Sequence, residues 1–251
     1  MRLIVLGTVS PYLAFDHNGP GFLIEDDTHK ILFDCGSGVT RHMVLPYHLE
    51  NLHVFISHFH RDHYNEIYNI QYASHVFHKR GKLMNPIDVH LPSVSMSRFE
   101  DIVSEEYAFA NYHRIIDEYC GVEAGKLKVS FCLTGHTTES YAFKVTDGES
   151  TIVYTSDISY SAKDIIVRFA KDADLLICES SLLESHGFPE INSHITAKQA
   201  ATIAKNANVK QLMLTHFWPM EVTSRYLNEA KNVFKNVVCA KEGMRMIFNS
   251  N

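Results

Sequence analysis

The sequence predicts a layered α/β fold built on a mixed β-sheet. Short apolar or β-branched runs of strand length recur along the chain, the early ones lie in close pairs, and helical patterns alternate with them in the second half. No repeat, low-complexity tract or Pro/Gly/Ser-rich linker interrupts the 251 residues, so one domain over 1–251 is expected.

The strand candidates in order are Leu3–Leu6, Gly21–Ile24, Ile31–Phe33, His53–Ile56, Val129–Leu133, Tyr141–Val145, Thr151–Thr155, Leu175–Cys178, Leu212–Leu214 and Met244–Phe248. Tyr141–Val145 and Thr151–Thr155 flank Thr146-Asp-Gly-Glu149, whose Asp-Gly pair suits a hairpin turn with positive φ. Helices are expected at Asp164–Ala170, Thr196–Ala207 and Ser224–Phe234. In the second, Ala197, Ala200, Ala201, Ala204 and Ala207 share one face and Thr196 is placed as N-cap. The stretch Ser95–Gly121 also reads as helical, capped by Ser97. Its aromatics Phe99, Tyr107, Phe109 and Tyr112 suit either a packed amphipathic helix or a substrate lid.

Composition narrows the function. No run approaches the ~18 apolar residues of a membrane span, and Met1-Arg-Leu-Ile-Val-Leu-Gly7 reads as a first strand rather than a signal peptide. Five widely spaced cysteines without a C-x-x-C pair (Cys35, Cys120, Cys132, Cys178, Cys239) suggest reduced thiols and a cytoplasmic setting. A net charge of −6 argues against an extended nucleic-acid surface. Sixteen histidines are many for this length, so position must separate the functional ones.

Position does so at His58-Phe-His-Arg-Asp-His63, directly after an apolar strand. Four ligand-type side chains in six residues are costly to bury unpaired, whereas imidazoles and a carboxylate are donors that Zn²⁺ or Mn²⁺ accepts. His58 and His60, two apart in extended chain, point to one side, and Asp62 and His63 can address a second ion. Further candidates end other strands: His136 after Leu133-Thr-Gly, Asp157 after Thr151–Ser156, and His216 after Leu212–Thr215. Delivery of such residues at the carboxyl ends of strands is how open α/β sheets build sites. His17, His29, His42, His48, His75, His78, His90 and His113 lack metal-like spacing and are expected at the surface or in packing. His186 reads as a loop residue near the site, and Trp218 as a wall of it.

The order H-x-H-x-D-H, then a lone His, a lone Asp and a last His, resembles the metallo-β-lactamase superfamily. Phe33-Asp-Cys-Gly36 is similar to the turn that precedes the metal motif there. The resemblance implies a four-layered αβ/βα sandwich. It places one metal on His58, His60 and His136 and a second on Asp62, His63 and His216, with Asp157 bridging and Asp34 orienting a ligand histidine. Two divalent ions, Zn²⁺ first and Mn²⁺ as the alternative, would then activate a bridging hydroxide, with Asp62 orienting it or accepting its proton. Ser193-His-Ile-Thr-Ala197, followed by the Ala-rich helix, resembles the ribonuclease Z branch, which casts His194 as proton donor to the leaving oxygen. That branch grips transfer RNA with a long Gly-rich arm, for which the Asp-Gly hairpin leaves no room. The implied substrate is a small phosphodiester or a short RNA end, and the implied assembly a homodimer. Turnover of a lactone, thioester or other acyl substrate on the same metal core, and metal-dependent binding without turnover, are the competing readings.

Overall fold

The computed structural model describes residues 1–14, 16–115, 121–187 and 193–248. The elements run β1 (Arg2–Gly7), β2 (Gly21–Glu25), β3 (Lys30–Phe33), β4 (Leu52–Phe55), α1 (Arg61–Tyr64), α2 (Ile67–Lys79), β5 (Ile87–Pro92), α3 (Met96–Val103), β6 (Ala110–Ile115), β7 (Val122–Ala124), β8 (Leu127–Leu133), β9 (Tyr141–Thr146), β10 (Thr151–Tyr154), α4 (Lys163–Phe169), β11 (Leu175–Glu179), α5 (Ala197–Asn206), β12 (Gln211–Thr215), α6 (Thr223–Lys231), β13 (Val237–Cys239) and β14 (Arg245–Ile247). Among the described residues they form two mixed sheets, ordered β14-β1-β2-β3-β4-β5-β6 and β13-β12-β11-β10-β9-β8-β7.

Side-chain alternation turns these sheets into four layers. Phe22, Ile24, Ile31 and Phe33 of the first sheet meet Phe143, Val145, Ile152, Tyr154, Leu175 and Ile177 of the second in a central core. The intervening residues point outward. Leu23, Leu32 and Val54 pack with Ile67, Ile70, Phe99 and Ile102 of α2 and α3. Val153, Leu176, Cys178, Leu212 and Leu214 pack with Ile166 and the alanines of α5. Both faces of the central strands are dry, which is why they read as unbroken apolar runs rather than alternating ones. The result is the αβ/βα sandwich.

Local signals held where they carried their own hydrogen bonds. Thr196 Oγ1 accepts from Gln199 N at 3.1 Å while Gln199 Oε1 accepts from Thr196 N at 2.9 Å, a reciprocal cap, and all five alanines of that face are buried. The β9–β10 hairpin turns at Gly148 (φ 92°) with Asp147 Oδ1 accepting from Glu149 N and Ser150 N. Cys35 and Cys178 are buried thiols and Cys239 a half-buried one, while Cys120 lies outside the described residues. No helix among the described residues is long and apolar enough to cross a membrane.

One expectation fails. Ser95–Gly121 is not a continuous helix: α3 covers Met96–Val103 with Ser95, not Ser97, as its cap residue, and Ala110–Ile115 is a strand on the edge of the first sheet. Residues 116–120 lie outside the described set. Parallel pairing with β5 over six residues (Ile87↔Ala110 to Pro92↔Ile115) overrode any helical preference. The aromatics are consumed in packing: Phe99, Phe109 and Tyr112 join the outer core, and Tyr107 meets Tyr72 and His75 of α2. Also unexpected were α2, β5, β7 and β13.

The same edge contains a histidine ladder. His90 is buried, lies 4.2 Å from Phe55 in parallel stacking and 4.7 Å from His113, and its Nε2 is 3.3 Å from His53 Nδ1. Burial, helped by the neighbouring His113 and His53, pushes its pKa down to about 3. Below the ordinary histidine range the unfolded chain therefore takes a proton the folded one refuses, so stability falls as pH drops from about 6.5 towards 3. His90→Phe should flatten that limb: in urea unfolding the parent should lose on the order of 2 kcal/mol more than the variant between pH 7 and 5. Equal losses would contradict this role.

Candidate metal centre

The predicted ligands come together at one end of the sandwich because the strand ends that carry them are aligned there. Three of those ends turn through left-handed backbone at residues other than glycine: Asp34 (φ 57°) after β3, Ser156 (φ 52°) after β10 and His216 (φ 62°) after β12. Such turns cost roughly 1–3 kcal/mol each and survive where surrounding structure over-determines them, commonly at sites. Gly36 makes the first turn possible. A Cβ there would stand 2.3 Å from the Asp62 carbonyl oxygen, so only glycine lets the 34–36 turn lie against the start of α1.

Among the described residues three groups of donor atoms result: His58, His60, His136 and Asp157; Asp62, His63 and His216; and a third of Asp157 and His216 with His194. In the first, His58 Nε2 lies 3.0 Å and His136 Nε2 3.3 Å from His60 Nδ1. In the second, the Nε2 atoms of His63 and His216 are 3.2 Å apart, and Asp62 Oδ2 is 3.6 and 3.9 Å from them. Asp157 stands between the clusters. Its Oδ2 is 3.5 Å from His58 Nε2 and 3.6 Å from His136 Nε2, and its Oδ1 is 3.3 Å from His63 Nε2 and 2.8 Å from His216 Nε2.

The imidazoles are fixed from behind. Asp34 accepts from Ser57 N (2.8 Å), Ser57 Oγ (2.9 Å) and Tyr154 Oη (2.8 Å), and its Oδ2 holds His63 Nδ1 at 2.7 Å, so it does orient a ligand-type histidine. Ser57 Oγ, its own proton on Asp34, meets His58 Nδ1 at 3.0 Å. The Ser193 carbonyl accepts from His136 Nδ1 at 2.7 Å. Ser181 Oγ donates to Glu179 at 2.7 Å and accepts from His216 Nδ1 at 2.7 Å. The Nδ1 atoms of His58, His63, His136 and His216 are thus engaged from behind and their Nε2 atoms face Asp157, whereas His60 turns Nδ1 into the cluster.

That arrangement fits a cation. Asp157 Oδ1 is buried without a hydrogen-bond donor, and bare imidazole nitrogens crowd each other. Burial, together with the neighbouring histidines, lowers the pKa of His58, His60 and His136 and keeps them neutral, the state in which imidazole ligates metal. At His63 burial also opposes charge, but Asp157, Asp34 and Asp62 override it and raise its pKa well above normal. The centre favours positive charge there, which a divalent ion would supply in place of a proton. Asp62, although burial opposes its ionisation, is held below the usual carboxylate range by His63, His216 and a hydrogen bond from Ser10.

His194 joins the cluster, its Nδ1 4.0 Å from Asp157 Oδ2 and 3.1 and 3.2 Å from the two oxygens of Glu179. Burial opposes its charge, but Glu179 prevails and pushes its pKa up to about 9. Glu179 is the functional residue missed in the sequence. It is fully buried, holds Ser181, His194 and the Ile158 amide, and through Ser181 reaches His216. The available signal was a carboxylate closing the apolar run Leu175–Cys178, the pattern that singled out Asp157. His186 is a loop clamp, receiving Leu183 N on Nδ1 and pairing with Glu221 at 3.1 Å.

Fold and centre define a metallo-β-lactamase-fold hydrolase whose His/Asp cluster can hold divalent metal, and residues 29–217 match the β-lactamase superfamily domain. The chain belongs to that superfamily. It is 30% identical to the probable metallo-hydrolase YhfI of Bacillus subtilis over 245 residues, covering 97% of this chain and 98% of that one. The crystal structure of YhfI superposes with a TM-score of 0.85 at 28% identity, covering 98% and 99% of the two chains. Ribonuclease Z of Chlamydia trachomatis is 25% identical over 292 residues (96% and 95% covered). The short form of human tRNase Z shares the fold at a TM-score of 0.73 and 21% identity, with both chains fully covered.

Proposed function

We propose that this protein is a dinuclear metal-dependent phosphodiesterase acting on a small phosphodiester or short RNA end. His58, His60 and His136 would hold one ion, Asp62, His63 and His216 the other, and the Asp157 carboxylate would be shared. Two such ions, Zn²⁺ or Mn²⁺ by donor type, supply a water acidic enough to attack near neutral pH and neutralise charge on the phosphoryl oxygens. The chain's own residues do the rest. Asp62, ionised and anchored by Ser10, orients the attacking water and accepts its proton. His194, protonated on the strength of Glu179, delivers a proton to the departing oxygen.

The observation that carries this reading is the His194–Glu179 pair. With Nδ1 held by a buried carboxylate, His194 keeps its charge at neutral pH and would have Nε2 left for the departing oxygen. Both Glu179 oxygens hold its Nδ1, and the ring stands beside Asp157 and His216 at the margin of the centre, the place a general acid would occupy. Expelling an alkoxide needs such an acid; expelling a thiolate from a thioester does not. Ribonuclease Z among the relatives supports the phosphodiester class. The four-residue β9–β10 turn at 147–150 leaves no arm in that hairpin for a long RNA, in keeping with a short substrate.

The test is metal-loaded protein assayed on bis(p-nitrophenyl) phosphate beside p-nitrophenyl acetate and a simple lactone. Phosphodiester turnover exceeding acyl turnover by at least about ten-fold in kcat/KM is expected. Acyl turnover alone would move the protein to the lactone or thioester reading. Two bound ions with no turnover on any substrate would make it a binding module.

A further inference from the structure

Beside the metal centre lies an apolar surface that the proposed chemistry does not use. The segments 8–13 and 217–222 are strapped together: Phe217 N donates to the Thr8 carbonyl at 2.9 Å and Ser10 N to the Phe217 carbonyl at 3.1 Å. Each segment leaves the site from a functional residue. Tyr12 follows Ser10, which is bonded to Asp62, and Trp218 follows His216. Their rings meet edge to face with centroids 6.2 Å apart and planes at 81°. Yet Tyr12 is 48% and Trp218 44% exposed, although the Trp218 amide is anchored on the buried Tyr226 hydroxyl at 3.3 Å. Leu13, Met220 and Val222, on the same two segments, are exposed as well.

A concavity of about 220 Å³ opens beside Tyr12, lined also by Pro11, Leu13, Ser37, Asp62 and Asn65, with Trp218 outside its lining. Its size suits one ring system rather than a whole drug-sized ligand. One wall is apolar and aromatic, and the other carries the Ser37 hydroxyl and the Asn65 amide, which bond each other at 3.1 Å and can address the polar edge of a planar ring. Asp62, one of the donors of the centre, is part of its lining. Fixed aromatics exposed beside a charged centre are the arrangement that binds a flat apolar group tethered to a charged one.

The geometry points to Tyr12, backed edge-on by Trp218, as a stacking surface for the nucleobase of a nucleotide substrate whose phosphate lies at the metal centre. This rests on the phosphodiesterase reading and adds the substrate class. A base has a π-face for stacking and edge groups for Ser37 and Asn65, and its sugar supplies the tether to the phosphate. Tyr12 and Trp218 are then specificity-determining residues, outside the reacting atoms.

Trp218 is the sole tryptophan of the chain, so its emission reports occupancy without any turnover. Metal-loaded protein is titrated with AMP, with ribose 5-phosphate, which lacks the base, and with phenyl phosphate, which offers a ring without base edges. AMP should quench Trp218 and bind roughly ten-fold more tightly than ribose 5-phosphate. Tyr12→Ala, which keeps the reporter, should weaken AMP by about ten-fold and leave ribose 5-phosphate within two-fold. Equal affinity for AMP and ribose 5-phosphate, with Trp218 emission unmoved, overturns the platform even if phosphodiesters are hydrolysed. Quenching by phenyl phosphate as strong as by AMP overturns the nucleobase assignment. Emission that follows protein concentration and ignores AMP makes the patch a self-association face and likewise overturns it. AMP quenching lost in Tyr12→Ala, in a protein that hydrolyses no phosphodiester, upholds the platform and removes the phosphodiesterase reading.

Discussion

Asp157→Ala is expected to lower bound metal from two ions per chain to one or fewer and to cut phosphodiester turnover by at least about a thousandfold. Asp157 places its two oxygens 2.8–3.6 Å from four imidazole nitrogens of the two clusters, two nitrogens to each oxygen. Its carboxyl, despite complete burial that favours the neutral form, is held well below the usual range by His216 and His63. Removing it strips a ligand from both positions and leaves neighbouring cations facing each other without shared negative charge. Loss of an outer hydrogen-bond partner of a metal site costs about 10–100-fold, and loss of a shared ligand must exceed that. Metal content by plasma emission spectrometry and steady-state kinetics at saturating Zn²⁺ or Mn²⁺ are the measurements. An alanine variant that retains two tightly bound ions would remove the bridging role.

The second large effect should depend on the leaving group. With a dinucleotide, whose departing alkoxide needs a proton, His194→Ala is expected to lower kcat by about 10²–10⁴-fold. With bis(p-nitrophenyl) phosphate, whose nitrophenolate leaves without one, the loss should stay under about ten-fold, and metal content should not change. Glu179→Gln gives the complementary readout. Because Glu179 keeps His194 protonated up to about pH 9, activity towards the dinucleotide should fall as pH rises through the His194 pKa. Without the negative charge that basic limb should move to lower pH. Equal losses on both substrates, or a limb that stays in place in E179Q, would mean that His194 only shapes the site.

Much of the centre was legible because its residues are punctuation. His58, His60, Asp62 and His63 break an apolar pattern within six positions, and His136, Asp157 and His216 each close an apolar run, so polarity at a strand end exposed them all. Glu179 obeys the same rule but is a single carboxylate with no neighbouring ligand motif, and nothing local distinguishes it from a strand-ending solvent charge. Ser57, Ser181 and the Ser193 carbonyl leave no trace in sequence, since their value lies only in the imidazole each one meets.

Elements were readable in the same uneven way. The α5 cap and the Asp-Gly hairpin carry their hydrogen bonds within a few residues, so short-range chemistry specifies them. Ala110–Ile115 is a strand because β5 offers it an edge, a partner some twenty residues away that no local window contains. What the chain alone determined was the list of donors and the strand ends on which they sit, because polarity and periodicity are properties of neighbours in sequence. Which donors lie together, that Glu179 stands behind His194, and that Tyr12 meets Trp218 were decided by tertiary structure. These are distances between segments as far apart as Tyr12 and Trp218, set by the stacking of two sheets.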